Sequence, residues 1–142
     1  MSQTINLFSL IQAAGDAVIA ADAGGKILLW NKAAQRIFGF EEEEAVGQSL
    51  NLIIPERFQE RHWTGYRRVF ETGRTRYGTE VLRVPAVHKD GHPLSIAFTI
   101  ALLPSEEGNI EFAAAIIRDE TARFREERDL RSRLAELEKQ CR

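Results

Sequence analysis

Histidine is the residue of this sequence with the widest range of chemistry, and the chain contains three. His62 lies on the apolar stripe of a predicted helix, four residues after Phe58 and four before Tyr66. Its imidazole can serve as an axial ligand to haem iron. The alternative is a half-buried histidine that hydrogen-bonds within the core or to a carbonyl group at the helix end. Both interpretations stay open at the level of sequence.

His88 and His92 flank the turn Lys89-Asp90-Gly91. We expect both side chains to be exposed to solvent. A metal ion held between these two histidines would lack further ligands, so we expect no metal site there. The only cysteine, Cys141, lies next to the last residue and predicts neither a disulfide framework nor a cysteine-rich metal site inside the domain.

The sequence lacks several common catalytic motifs. It has no Walker-type phosphate loop, no Gly-x-Ser-x-Gly elbow and no His-Glu-x-x-His helix. Carboxylate pairs such as Glu106-Glu107 and Glu126-Glu127 lie in a polar loop and on a highly charged helix, which suits general acid–base catalysis poorly. We therefore expect a signalling or binding module and no enzyme.

Length and composition limit the class of protein. A chain of 142 residues with 44% hydrophobic and 28% charged residues is long enough for one soluble domain with its own core. Its longest apolar runs are too short to span a bilayer. A net charge of −2 gives no general attraction to nucleic acid. The N-terminal residues lack the features of a secretory signal, so we expect a cytoplasmic protein.

The elements that must position these residues follow from apolar periodicity and turn signals. Asn31 is a suitable cap for the helix that ends at Gly39, and Asp90-Gly91 is a hairpin turn. The predicted strands are 17–22, 26–31, 80–88, 94–103 and 110–118, and the predicted helices are 5–14, 33–38, 41–45 and 56–72. This order predicts an α+β fold in which helices cover one face of a five-stranded antiparallel sheet.

The last segment, 120–142, is rich in charge and predicts a helix. Leu130, Leu134 and Leu137 are spaced four and three residues apart, which is typical of a coiled-coil seam of about two heptads. We expect this seam to join two chains into a homodimer. The alternative is a single helix that packs back onto the sheet.

Several motifs in this order resemble the PAS family of sensory domains, and the resemblance covers residues 7–121. They are Trp30-Asn31, Phe38-Gly39, Val46-Gly47, the IIPERF stretch, Lys89-Asp90-Gly91 and IIRDET at the end of the last strand. The resemblance implies a PAS sensor domain over 17–119, an N-terminal amphipathic cap helix over 1–16 and a coiled-coil output helix over 120–142. It also implies that Asp119 and Thr121 join the sheet to the outgoing helix and relay the signal.

PAS domains hold haem, flavin, small organic acids or no cofactor. The position of His62 is similar to that of the ligand histidine in haem-binding PAS oxygen sensors, since it follows Pro55 by seven residues and precedes Thr72-Gly73. Arg83 is the nearest candidate for the residue that those sensors place on the far side of the haem. Flavin–thiol photochemistry is excluded, because those members carry a reactive cysteine inside the domain.

Two functions therefore remain. The first is a sensory module of bacterial-type signal transduction, such as a two-component system, in which haem or a small organic ligand occupies a cavity near His62, Tyr66, Leu82, Arg83 and Ile96. Such a module would relay its state as a dimer to a kinase, cyclase or other output domain. The second is a cofactor-free dimerisation and docking module within a larger signalling protein.

Overall fold

The computed structural model describes residues 3–75 and 78–141, so Met1 and Ser2 of the predicted cap segment and Arg142 of the predicted output helix lie outside the described residues. Five strands form one antiparallel sheet in the spatial order β2-β1-β5-β4-β3. The strands are β1 Ala17–Asp22, β2 Ile27–Trp30, β3 Leu82–Val87, β4 Pro93–Pro104 and β5 Ile110–Asp119. The helices are α1 Leu7–Ala13, α2 Lys32–Phe38, α3 Glu42–Ala45, α4 Glu56–Thr72 and α5 Thr121–Gln140, with a 3₁₀ turn at Leu50–Leu52.

The predicted fold class is confirmed, with small differences at the ends of elements. Helix α1 begins two residues later than predicted because the Asn6 carboxamide oxygen caps it, accepting a hydrogen bond of 3.1 Å from the Ser9 N–H. Strand β3 is shorter than predicted and β4 is longer. The 3₁₀ turn at Leu50–Leu52 was not predicted.

The hydrophobic core lies between one face of the sheet and the short helices α2 and α3. Successive residues in a strand point to opposite faces, so every second residue of β1, β4 and β5 contributes to this face. Trp30 is fully buried and its indole N–H donates to the Phe40 carbonyl at 2.9 Å. The other core residues include Ala17, Ile19, Ile27, Ala33, Ala34, Phe38, Leu94, Ile96 and Ile117.

Asn31 is the one fully buried polar residue of the described core, and all of its side-chain hydrogen-bonding atoms have partners. Its oxygen accepts from the backbone N–H of Val18 at 2.9 Å and of Ala34 at 3.0 Å. Its amide donates to the carbonyl groups of Ile11 at 2.8 Å and Asp16 at 3.1 Å. A single side chain therefore caps α2 and also fixes the end of α1 and the start of β1.

Candidate functional site around His62

Helix α4 is the long helix between the 3₁₀ turn and β3. Pro55 precedes it with the φ of −55° that suits a helix start, and Gly73 ends it in the left-handed conformation at φ +70°. None of its 17 residues, all of which the structure describes, is buried. The helix is therefore held by a few side-chain contacts rather than by an apolar stripe packed into the core.

Four rings form a row along α4. His62 and Trp63 lie edge to face with centroids 4.6 Å apart, and the His62 and Tyr66 rings are 5.5 Å apart. Trp63 and Tyr66 are 5.2 Å apart, and Phe70 continues the row at 4.9 Å from Tyr66. These separations are those of favourable aromatic pairs.

The row is anchored to the turn between β1 and β2 and to the 3₁₀ turn at Leu50–Leu52. The Tyr66 hydroxyl donates to the Asp22 carbonyl at 2.6 Å, and the Trp63 indole N–H donates to the Asn51 side-chain oxygen at 2.8 Å. The Trp63 ring lies directly over Gly25, where a Cβ atom would stand 2.1 Å from a ring carbon. Gly25 also has a φ of +82°. The sequence marked this glycine only as part of a turn, and the anchor it provides was missed.

His62 is half-buried and carries an unusual polar atom. Among the buried side-chain nitrogen and oxygen atoms of the residues that the structure describes, its Nδ1 is the one that lacks a hydrogen-bond partner. Such atoms are rare in folded proteins and call for a ligand or an explanation. Burial lowers the pKa of the His62 imidazole, so the ring is neutral at pH 7 and keeps a lone pair on one nitrogen.

The other predicted cofactor contacts are divided between the two faces of the sheet. Leu82 pairs with Phe98, which packs against the core, and Ile96 is buried in that core. Arg83 follows Leu82 and therefore points to the opposite face, where its guanidinium lies 3.5 Å from the Glu120 carboxylate. The structure thus places Leu82 and Ile96 on the helix-covered face and separates Arg83 from it.

The predicted signal exit has a defined geometry. Asp119 accepts hydrogen bonds from both the N–H and the hydroxyl of Thr121, the first residue of α5. The Thr121 hydroxyl oxygen accepts from the Ser95 N–H at 3.0 Å, and the Glu120 N–H donates to the Ser95 carbonyl at 2.8 Å. Helix α5 is thereby fastened to β4 next to Ile96.

The surface apolar residues are concentrated on the two terminal helices. Leu130, Leu134 and Leu137 each expose more than half of their surface along α5. Leu7, Phe8 and Leu10 of α1 are equally exposed. A cleft of about 420 Å³ separates α1 from the sheet and is lined in part by Leu10, Val18 and Ile116. A second cleft, of about 430 Å³, lies on the other side of α1, and neither one includes His62.

The expectation that His88 is exposed is wrong, since its side chain is 22% exposed and contacts Gly39. The expectation for His92 holds, with 47% of its side chain exposed. Asp90 lies between the two rings and within reach of both. Within the described residues, no helix combines the length and apolar character needed to cross a bilayer.

Comparisons with known proteins agree with this architecture. A family model of the PAS fold matches residues 6–119. A protein of Azorhizobium caulinodans is 32% identical over 116 residues, which are 81% of this chain and 16% of that protein. Sensor protein FixL of Bradyrhizobium diazoefficiens is 42% identical over 57 residues, which are 40% of this chain and 11% of that protein.

Among solved structures, the PAS domain of a protein from Colwellia psychrerythraea is similar with a TM-score of 0.71 and 25% sequence identity. The similarity covers 82% of this chain and 95% of that domain. The chain therefore corresponds to nearly all of a solved PAS domain and to a small part of each curated relative.

Proposed function

This chain belongs to the PAS family of sensory domains, and we propose that it detects a small ligand or the state of a cofactor beside His62 and relays it through α5 within a homodimer. The curated relatives are much longer than this chain, so the relayed signal would act on an output domain such as a kinase or cyclase. We propose a cytoplasmic location for this module.

The observation that carries the proposal is the buried, unpartnered Nδ1 of His62. Leaving a buried polar atom without a hydrogen bond costs about 1–3 kcal/mol, and a bound ligand would remove that cost. The aromatic row of α4 would provide an apolar wall beside the imidazole. Since α4 is held mainly at the β1–β2 turn, it can shift to admit a ligand without disturbing the buried core.

The His62 imidazole is a suitable ligand for haem. A neutral, half-buried imidazole is the kind of axial ligand that haem iron takes. The other predicted cavity residues on the helix-covered face, Leu82 and Ile96, are apolar. His62 would hold the iron, and haem would supply a metal centre that responds to gases or to redox state. Arg83 does not fit its expected part, since it points to the opposite face of the sheet.

A first prediction concerns His62→Ala. Expressed with a supply of haem, the parent protein should show a Soret absorption band, and the variant should lose it because the axial ligand is gone. His92→Ala is the matched control, since it removes an exposed histidine of the β3–β4 hairpin and should keep the band. A band of equal strength in His62→Ala would contradict haem ligation by His62. Featureless spectra in all three proteins would leave a small organic ligand as the candidate for the same site.

The relay would run through the bonds between β4 and the start of α5. A ligand that moves Ile96 or Phe98 would move the neighbouring Ser95, whose backbone bonds both Glu120 and Thr121. Two packed arrangements of this junction, with different affinities for the ligand, would suffice for signalling. Asp119 would hold the helix start in place in both arrangements.

A second prediction tests the dimer. Leu134→Asp places a charge in the predicted seam and should weaken dimerisation by roughly tenfold or more, because the charge must be desolvated when the helices meet. Light scattering over a range of concentrations should show the mass falling towards the 16.1 kDa of one chain. Ser132→Asp adds the same charge on the opposite side of the helix and should leave the mass unchanged. An identical mass in parent and Leu134→Asp would argue against the seam.

The second candidate function, a cofactor-free docking module, is favoured by a different observation. Both terminal helices, α1 and α5, carry exposed apolar side chains, and His62 lines neither of the two clefts beside α1. Such a module would bind partner chains and no small ligand. A parent protein that binds no haem and no small metabolite, yet forms the dimer that Leu134→Asp disrupts, would favour this function.

A further inference from the structure

The hairpin between β3 and β4 brings three potential metal ligands to one side of a tight turn. The His88 N–H donates to the His92 carbonyl at 3.0 Å, and the Gly91 N–H donates to the His88 carbonyl at 2.8 Å. Gly91 has a φ of +93°, which the turn requires and which other residues adopt only with strain. The Asp90 carboxylate accepts from the His92 N–H at 3.0 Å, so it folds back over the turn towards the imidazoles.

His88 is held in one orientation by its contact with Gly39. A Cβ atom at Gly39 would lie 2.6 Å from Nε2 and 2.5 Å from Cε1 of the His88 ring, so this edge of the ring rests on bare backbone. The opposite edge faces the turn, where Nδ1 lies 3.2 Å from the Asp90 carboxylate and accepts the Asp90 N–H at 3.1 Å. A metal ion bound at this nitrogen would take the place of the Asp90 N–H, with which its lone pair now bonds.

His92 completes the cluster. Its ring stacks on that of His88 with centroids 4.3 Å apart and an angle of 17° between the planes. Its Nδ1 contacts the same Asp90 oxygen that lies near His88. The donor atoms of the three residues all lie within 4.8 Å of one another.

The β3–β4 turn is fixed to helices α2 and α3 through Lys89. The Lys89 N–H donates to the Phe38 carbonyl at 2.9 Å, at the end of α2, and the Lys89 ammonium lies 2.6 Å from the Glu44 carboxylate. The ammonium charge is thus paired away from the cluster. The cluster stands on a rigid hairpin rather than on a free loop, which favours preorganised metal binding.

The sequence predicted no metal site at this turn because the two histidines lacked a further ligand, and Asp90 now supplies one. We propose that His88, Asp90 and His92 form a binding site for a divalent transition-metal ion of the Zn²⁺ class. Two imidazoles and one carboxylate are a donor set that such ions take, with the remaining coordination positions open to water or to another chain. Tetrahedral coordination with bonds of about 2.1 Å places donor atoms roughly 3.4 Å apart, so the side chains would rotate towards one another to close the site. The bound ion would fix the His88 ring in its contact with Gly39, and so hold the hairpin against the end of α2.

Isothermal titration of the untagged chain with Zn²⁺, after treatment with a chelator, tests the site. A Cys141→Ser background removes the one exposed thiol that competes for zinc. We expect one ion per chain, and His92→Ala and Asp90→Asn should each weaken binding by roughly tenfold or more. His62→Ala, the matched histidine control, should bind Zn²⁺ as the parent does.

The exposed positions of Asp90 and His92 make both variants compatible with the fold, which circular dichroism would verify. A parent protein that binds no Zn²⁺ would overturn the proposal. Equal affinity in parent and His92→Ala would overturn it as well, since the ion would then be held elsewhere. Raised thermal stability of the parent in the presence of Zn²⁺, lost in His92→Ala, would support this role of the ion in holding the hairpin. The test is independent of whether the domain binds haem.

Discussion

Asn31→Asp is expected to lower the free energy of unfolding by about 3 kcal/mol or more, although the substituted side chain has nearly the same shape. The carboxylate keeps the acceptor that serves Val18 and Ala34. Its second oxygen, however, would face the carbonyl oxygens of Ile11 and Asp16, to which the amide now donates. The substitution would thus bury a charge, remove two hydrogen bonds and create two repulsive contacts at a fully buried position.

Urea denaturation followed by tryptophan fluorescence measures this loss, with Asn109→Asp as the control. Asn109 lies in the exposed turn before β5, so the same chemical change there should alter stability by no more than about 0.5 kcal/mol. Equal losses in the two variants would show that Asn31 does not hold α1, β1 and α2 together as described.

Gly25→Ala is expected to have the second large effect, a loss of about 2–4 kcal/mol in stability and the release of α4 from the β1–β2 turn. The left-handed conformation at φ +82° costs an alanine roughly 1–2 kcal/mol. The added methyl group also coincides with the Trp63 ring, which must move away. The displaced ring would then lose its hydrogen bond to Asn51.

The neighbouring Gly24→Ala is the matched control. A Cβ atom there would meet only the Asp22 carboxylate at an ordinary 3.5 Å, so the stability should change little. A double variant, Gly25→Ala with Trp63→Ala, separates backbone strain from the clash. A stability loss in the double variant equal to the sum of the two single losses would show that the Trp63 ring does not clash with the added methyl group. A loss well below that sum would support the contact between Trp63 and Gly25.

Much of the fold was predictable because its signals are local. Asn31 and Gly39 mark the ends of α2, and Asp90-Gly91 marks the β3–β4 hairpin, since each needs a cap or a backbone conformation that few residues provide. Apolar runs separated by turn signals predicted the strands. These features depend on residues close in sequence.

The side chains around the candidate site were harder to predict because they depend on register and on contacts between distant segments. Arg83 was expected in the cofactor cavity, on the far side of the haem from His62, but a one-residue step along β3 turns it to the other face. His88 was expected in solvent, and only the packing of the hairpin against Gly39 buries it. The Trp63 ring and Gly25 are 38 positions apart, and no periodicity relates them.

The way α4 is attached has a consequence for the kinetics of the domain. A helix without buried residues, held chiefly through Trp63 and Tyr66, forms its own unit of local unfolding. Its amide protons would exchange with solvent through openings much less costly than the global unfolding that exposes β1 and β5. Local openings of α4 would therefore expose the His62 imidazole to solvent many times during the lifetime of one folded chain.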